Sequence, residues 1–301
     1  MWFKNIHFYK FEDDFKLTSQ QLHEQLARHR ARDCGQMEMA CQGWEKPLGR
    51  NGHLLVHEAE GAMMICLRRE EKVLPASLVN EMVADEAFKI EQETGRIAGR
   101  KEKRDIKERV LQELLPRALV RANVTYAAIL PADGWLIVDA ASVNKAEAVI
   151  ELLNKSLGTL NVVLPTTDAS PESVMTRWLL NDLSCPEGFA LEDECELQAG
   201  EGGEGVVRCK YIDLSSAEVR AHVEQGRRVK KMAINWRDRI SFVLQEDLSL
   251  KRLRFDSAIV EEAGESGDDE ASRFDADFVL MTAEFRALLP DLLAAMNSGA
   301  A

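Results

Sequence analysis

The sequence predicts an α+β chain of more than one unit, with mixed or antiparallel sheets and a helical arm that interrupts the strands of the first unit. Three observations carry this. The opening stretch MWFKNIHFYKF alternates apolar and polar residues with the two-residue period of a strand. From Pro75 to about Arg121 helical periodicity takes over, with strand-like runs on either side. Later, RRVKKMAINWRDRISFVLQEDLSLKRLRF divides at Arg237-Asp238 and Glu246-Asp247 into three short strands, the pattern of a β-meander. A chain of 301 residues is long enough to hold more than one core.

Residues 2–11 form the first strand. Thr18 is a candidate N-cap for a helix over 19–31, with Leu22 and Leu26 on one face. HLLVHEAEGAMMICLRREEK holds two apolar runs divided by Glu60-Gly61, which reads as a hairpin. Gly95 and Gly99 then break the helical stretch into two helices, a projecting hairpin. VTYAAILPADGWLIVDAAS returns to strands about a Pro-Ala-Asp-Gly turn, and 143–157 is a helix ending at Gly158. PTTDASPES, near 165–170, marks a boundary and a helix start. Beyond it come a helix at 171–182, strands near 188–197 and 205–212, a helix capped by Ser215 or Ser216, the meander, and a closing helical segment over 276–296. The division is therefore a first α+β unit from 1–74 and 122–167, an arm from 75–121, and a second α+β unit from 168–301.

The formal net charge is −13, which argues at first against a phosphate-binding surface. Much of the acid is concentrated, however. LEDECELQAGEGGEG (191–205) and EEAGESGDDEAS (261–272) read as acidic, loop-like stretches and leave other surfaces less acidic than the sum. No apolar run approaches the ~18–20 residues of a membrane span, and the first residues lack the apolar h-region of a secretory signal. A soluble, cytoplasmic protein is expected. The six cysteines show no CxxC spacing, and Cys66 and Cys209 lie in strand-like runs, so reduced thiols are expected.

Positive charge gathers in two places. RKEKRDIKER (100–109) carries six bases in ten residues. On a helix Arg100, Lys103, Arg104 and Lys107 share a face, with Glu102, Asp105, Glu108 and Glu113 opposite. Ile106, Val110, Leu111, Leu114 and Leu115 fall on roughly the basic side, giving a face that is basic at its start and apolar at its end. The alternative is a solvated helix laced by pairs such as Lys101 with Asp105 and Arg104 with Glu108. In the meander, nine bases from Arg227 to Arg254 face only Asp238, Glu246 and Asp247 in the sequence. Alternation puts Arg228 with Lys230, and Arg252 with Arg254, on shared faces, a possible stripe for phosphates. Its alternative is an edge sheet guarded against aggregation by Lys and Arg. Few aromatics interleave with these bases, which favours backbone contact with a duplex over base stacking.

Signs of catalysis are weak. Cys34, Cys41, His53 and His57 superficially suggest a zinc site, but the cysteine spacing does not suit a knuckle. GEGGEG (200–205) lacks the Lys-Ser/Thr of a P-loop and reads as a hairpin loop. Glu70-Glu71-Lys72 is an E-x-K that a metal-dependent nuclease could use, yet the preceding strand segment, 47–58, offers no aspartate to complete a metal site. The dispersed histidines and serines give no nucleophilic triad.

MWFKNIHFYKF, CGQMEMACQGWEKPLG, EEKVLP, LLPRAL, KSLGTL, SLKRLRF and RFDADFVLMT, in that order and nearly end to end, resemble the bacterial recombination-associated RdgC family. The resemblance implies a horseshoe-shaped subunit and a homodimer closed into a ring, its positively lined hole wide enough for duplex DNA. It implies binding of double- and single-stranded DNA with little sequence preference, restraint of RecA-promoted strand exchange, and association with the nucleoid. It implies no cofactor, no metal and no catalysis. On this chain the candidate DNA contacts are Arg100, Lys101, Lys103, Arg104, Lys107, Arg117, Lys210, Arg228, Lys230, Lys231, Arg252 and Arg254. The candidate ring contacts are Leu114, Leu115, Leu119, Tyr211 and Ile212. The chain departs from the family pattern twice. Relatives carry Phe after LLPRA where Leu119 stands, a smaller anchor, and Lys-Gln where Tyr211 and Ile212 stand. A module that acts directly on RecA is the alternative from another class; metal-dependent cleavage is a further one.

Overall fold

The computed structural model describes residues 1–181, 185–200, 203, 205–265 and 269–298. In chain order the first half comprises β1 (Asn5–Phe11), α1 (Ser19–Leu26), β2 (Ala40–Glu45), β3 (Val56–Ala59), β4 (Ala62–Val73), α2 (Ala76–Thr94), α3 (Arg100–Leu114), β5 (Leu119–Leu130), β6 (Trp135–Asp139), α4 (Val143–Leu157) and β7 (Val162–Val163). There follow α5 (Pro171–Leu180), β8 (Phe189–Ala199), β9 (Val206–Lys210), α6 (Ala217–Glu224), β10 (Arg227–Trp236), β11 (Ile240–Gln245), β12 (Leu250–Phe255), α7 (Ser257–Glu265) and α8 (Glu270–Asn297).

Local signals set many of these limits. Thr18 accepts a hydrogen bond from the Gln21 amide, and the Gln21 side chain accepts one from the Thr18 amide, a full capping box. The helix it starts is shorter than the periodicity predicts, since a 3-10 turn follows at 27–29. Gly95 ends α2 at φ 71°, a left-handed conformation that favours glycine. Glu60 and Gly61, at φ 46° and 71°, make the tight turn between β3 and β4. The strand expected over 47–58 is mostly a 3-10 turn at 49–51 and a loop, with only 56–59 in β3. The acidic stretch 261–272, expected as loop, instead enters α7 and opens α8, where Asp269 caps the helix by accepting from the Ser272 amide.

Among the described residues the twelve strands join one sheet in the order β2-β4-β5-β6-β1-β12-β11-β10-β8-β9, with β3 also on β4 and β7 also on β1, and these strand pairings are antiparallel. The meander β10-β11-β12 meets the first half through β1, with Asn5 opposite Lys251 and Ile6 opposite Leu250. Strands of the first half are apolar on both sides, so alternation sorts their residues into two cores. Ile6, Phe8, Met64, Ala128 and Ile137 enter one, shared with Met232, Ile234 and Trp236 of β10, Trp178 of α5, and Phe278, Phe285 and Leu292 of α8. Tyr9, Phe11, Ile65, Ile129 and Leu136 enter the other, beneath Leu22 and Leu26 of α1 and Val149 and Leu153 of α4. α8 therefore packs on strands from both halves. Its Arg286 binds Asp133 at 3.0 Å and the Glu60 carbonyl at 2.9 Å, and its Glu284 receives Arg239. A third, small core of Val79, Ile106 and Val110 holds α2 against α3.

Candidate nucleic-acid interface

The arm is built so that the buried apolar residues of α3 diverge from its basic ones. Ile106 and Val110 are buried against α2, with Met82, Val83 and Leu111 around them. At 100° per residue these two positions lie to one side of the row Arg100, Lys103, Arg104 and Lys107. Ile106 and Val110 thus occupy a flank adjoining the basic row, whereas Leu111 and Leu114 fall in line with that row further along the helix, as the spacing suggested. Arg96 grips Glu102 with two hydrogen bonds of 2.8 and 3.1 Å and so removes the acid nearest the helix start. Arg100, Lys101, Lys103, Arg104 and Lys107 are exposed, and among the described residues none has an acid within ion-pair distance. The expected pairs Lys101–Asp105 and Arg104–Glu108 do not form. Arg117, in the 3-10 turn that follows α3, is likewise exposed and unpaired among the described residues.

The meander bases stand in a different field. In sequence their acids look few, but β8 runs beside β10 and brings Glu194 and Glu196 among them. Glu196 lies opposite both Lys231 and Arg208 and binds them at 3.0 and 2.8 Å. Arg208, with Lys231 beside it, holds the Glu196 carboxyl below its usual range. Glu194 takes Arg252 at 2.8 Å and Lys210 at 3.8 Å. Lys230 is held between Glu172 at 2.5 Å and Glu246 at 2.7 Å, and both carboxylates raise its pKa. The simple face-sharing also breaks down. A register shift between Val229 and Lys231 interrupts the alternation from Arg228 to Lys230. Arg252 adopts φ 55° at a second irregularity, and Leu250 and Leu253 are buried on either side of it. Of the meander's proposed contacts, Arg228 and Arg254 are the exposed ones with no acid within ion-pair distance among the described residues.

The apolar candidates separate similarly. Leu115 is buried within the chain, and Leu114 is half-buried against the arm core. Leu119 is 80% exposed at the start of β5, opposite Val73 of β4. Val73 is exposed on the same face as Leu119, and Val120 and Val124 are exposed on the opposite face of β5, apolar positions that motif reading missed. Tyr211 is 91% exposed at φ 57°, and Ile212 is half-buried against the main core.

The E-x-K residues perform other tasks. Glu70 is buried, paired with Arg68, and accepts the Cys34 amide at 2.9 Å. Lys72 donates to the carbonyls of Leu115, at 2.9 Å, and Gln36. Both side chains thereby pin the 31–39 loop and the foot of the arm to β4.

A family model described as "Putative exonuclease, RdgC" matches residues 1–299. Similar proteins bear the name "Recombination-associated protein RdgC". The one from Aeromonas hydrophila is 44% identical over 298 residues, covering 99% of this chain and 98% of its own. The one from Tolumonas auensis is 43% identical with the same coverage. The one from Yersinia pestis (strain Pestoides F) is 40% identical over 301 residues, covering 100% of this chain and 99% of its own.

Proposed function

The chain belongs to the RdgC family, and from that premise we propose that it binds DNA, mainly duplex, without sequence preference and restrains RecA-promoted strand exchange at the nucleoid. The observation that carries the reading is the basic flank of α3, where five solvent-facing bases have no acid within ion-pair distance among the described residues. Bases already bonded to carboxylates gain little from a phosphate, because one charged partner merely replaces another. Free ones release counterions from DNA when they bind, and that release drives nonspecific affinity. The net charge of −13 repels phosphate from the remaining surface and confines contact to such flanks. In the proposal, 75–121 is the DNA-contacting arm, and horseshoe-shaped subunits pair into a ring. Leu119 with Val73 beside it, and the Tyr211-Ile212 corner, supply the two self-complementary contacts that a closed dimer requires.

The test is the combined variant Arg100→Ala, Lys103→Ala, Arg104→Ala and Lys107→Ala, titrated with several unrelated duplexes across a salt series. Affinity should fall by the same factor for every sequence, and the salt slope should become shallower by about one for each phosphate no longer neutralised. Unchanged affinity would sink the role of α3, and weakening confined to certain sequences would sink backbone contact. Poor DNA binding together with retention of RecA on the immobilised protein would favour a module that acts on RecA directly. The family description supports a second reading, metal-dependent cleavage through Glu70 and Lys72. Their engagement with Arg68, the Cys34 amide and two carbonyls leads us to propose binding without catalysis. Divalent-dependent cleavage of linear duplex that disappears in Glu70→Gln would reverse that choice.

A further inference from the structure

Cys34 and Cys41 take no part in the surfaces above. Cys34 lies in the loop between the 3-10 turn after α1 and β2; Cys41 is the second residue of β2, whose only strand partner among the described residues is β4. Their Sγ atoms are 2.8 Å apart, and both residues are partly exposed. The loop holds them there by its own bonds. The Cys34 amide donates to Glu70 at 2.9 Å, the Gly35 amide to Glu38 at 2.8 Å, and the Cys41 thiol to the Arg32 carbonyl at 3.3 Å. Arg32 fastens Glu38 with two further bonds of 2.6 Å.

Glu38 completes a group of three whose ligand atoms lie within 4.8 Å of one another. Its carboxylate, however, is engaged by Arg32 and the Gly35 amide. Two sulfurs alone leave a zinc site two ligands short of its usual four. Two thiols with their sulfurs 2.8 Å apart are already close to the ~2.05 Å of a disulfide. We propose that Cys34 and Cys41 are a reversible oxidation site that closes an intrachain disulfide at the expense of a low-molecular-weight disulfide such as oxidised glutathione.

In the first step one cysteine loses its proton and its thiolate attacks glutathione disulfide, releasing one glutathione and leaving a mixed disulfide. The second cysteine, deprotonated in turn, attacks the protein-bound sulfur and releases the other glutathione. Two protein thiols are thereby oxidised and one glutathione disulfide is reduced to two thiols. Burial, with Cys34 alongside, pushes the Cys41 thiol up to about 12, so little of it is thiolate at neutral pH and exchange through Cys41 is slow. The new bond would close the loop that carries the Gln36 carbonyl. That carbonyl receives Lys72, whose ammonium also binds Leu115 at the foot of the arm. Oxidation therefore fastens the loop on which the arm's foot is tied.

The full chain, reduced and then equilibrated with EDTA in graded ratios of oxidised to reduced glutathione, is quenched in acid, alkylated and digested with trypsin. Peptide 33–50 carries both cysteines and is distinct from peptides bearing Cys195 and Cys209. It should pass from doubly alkylated to unalkylated and two hydrogens lighter, through a single midpoint. The oxidised protein should also unfold several degrees higher than the reduced one. In Cys34→Ser and in Cys41→Ser the remaining cysteine should carry glutathione instead, with no rise in unfolding temperature. Thiols that stay alkylatable at every ratio, or that each take a separate glutathione, would overturn the proposal. So would stoichiometric zinc shielding both thiols of the reduced protein from alkylation, since that marks a metal site.

Discussion

His7 is buried on β1 with its Nε2 2.7 Å from Nζ of Lys251, so two groups that would each carry positive charge share one place. Burial first, then the lysine, lowers the histidine pKa, and Asp247 only partly opposes them. The folded chain therefore holds His7 neutral, while the unfolded chain protonates it below its ordinary pKa of about 6.5. Stability from this source is fully present above that value and is lost as pH falls through it. Urea midpoints should drop between pH 7 and pH 5, and the drop should be smaller in His7→Gln. His57, whose pKa burial also lowers, retains part of the slope. Gly43 gives a test that is independent of pH. A Cβ there would stand 2.5 Å from the Ala31 nitrogen and 2.7 Å from the Arg30 carbonyl carbon, both backbone atoms that hold β2 against the chain after α1. Gly43→Ala should cost roughly 1–3 kcal/mol by overpacking, read from the same denaturation curves.

The arm rests on a core of three buried side chains, so its cohesion is separable from that of the sheet. Ile106→Ala removes one of them, a truncation that costs roughly 2–5 kcal/mol in a packed core. Because the arm has this core to itself, the destabilisation should show as local opening. Hydrogen exchange should quicken in α2 and α3 and stay unchanged in β1 and β6, with DNA affinity falling alongside. Elements of this kind were legible in the sequence because their causes are local. Thr18, Gly95, Gly158 and the Glu60-Gly61 turn act within four residues of themselves and mark their limits correctly. α7 was not legible, since its acidic residues resemble a loop until α8 is seen packed against it. The charge environment of the meander was also hidden. Which bases are free depends on β8 lying beside β10, and β8 reaches β10 only after β9 and α6 have intervened in the chain.

At the scale of the whole molecule the same nonlocality decides the architecture. β1 pairs with β12 although Asn5 and its partner Lys251 stand near opposite ends of the chain, and α8 packs under strands of both halves, so the two ends close one continuous sheet. Such a frame carries the arm at one place and the Tyr211 corner at another, and a second copy meeting both would close a ring. The prediction rests on Leu119, which is 80% exposed with Val73 beside it on the same face. Leu119→Asp places a charge in what the proposal makes an apolar contact, where an unpaired carboxylate is costly. Dimer affinity should weaken by roughly tenfold or more, equivalent to about 1.4 kcal/mol or more, as read by sedimentation across a concentration series. The fold should be unaffected, because the side chain belongs to neither main core. A ring that encircles duplex cannot leave a small closed circle without opening, whereas it can slide from the end of a linear fragment. At a salt concentration that clears the wild-type protein from linear DNA, it should therefore persist on circles of equal length and sequence. Leu119→Asp should dissociate from circles and linear fragments alike, with its salt slope intact because the α3 bases remain. Wild-type protein that leaves both forms equally would mean that phosphate neutralisation alone holds DNA, and that the twofold contact serves assembly without topological closure.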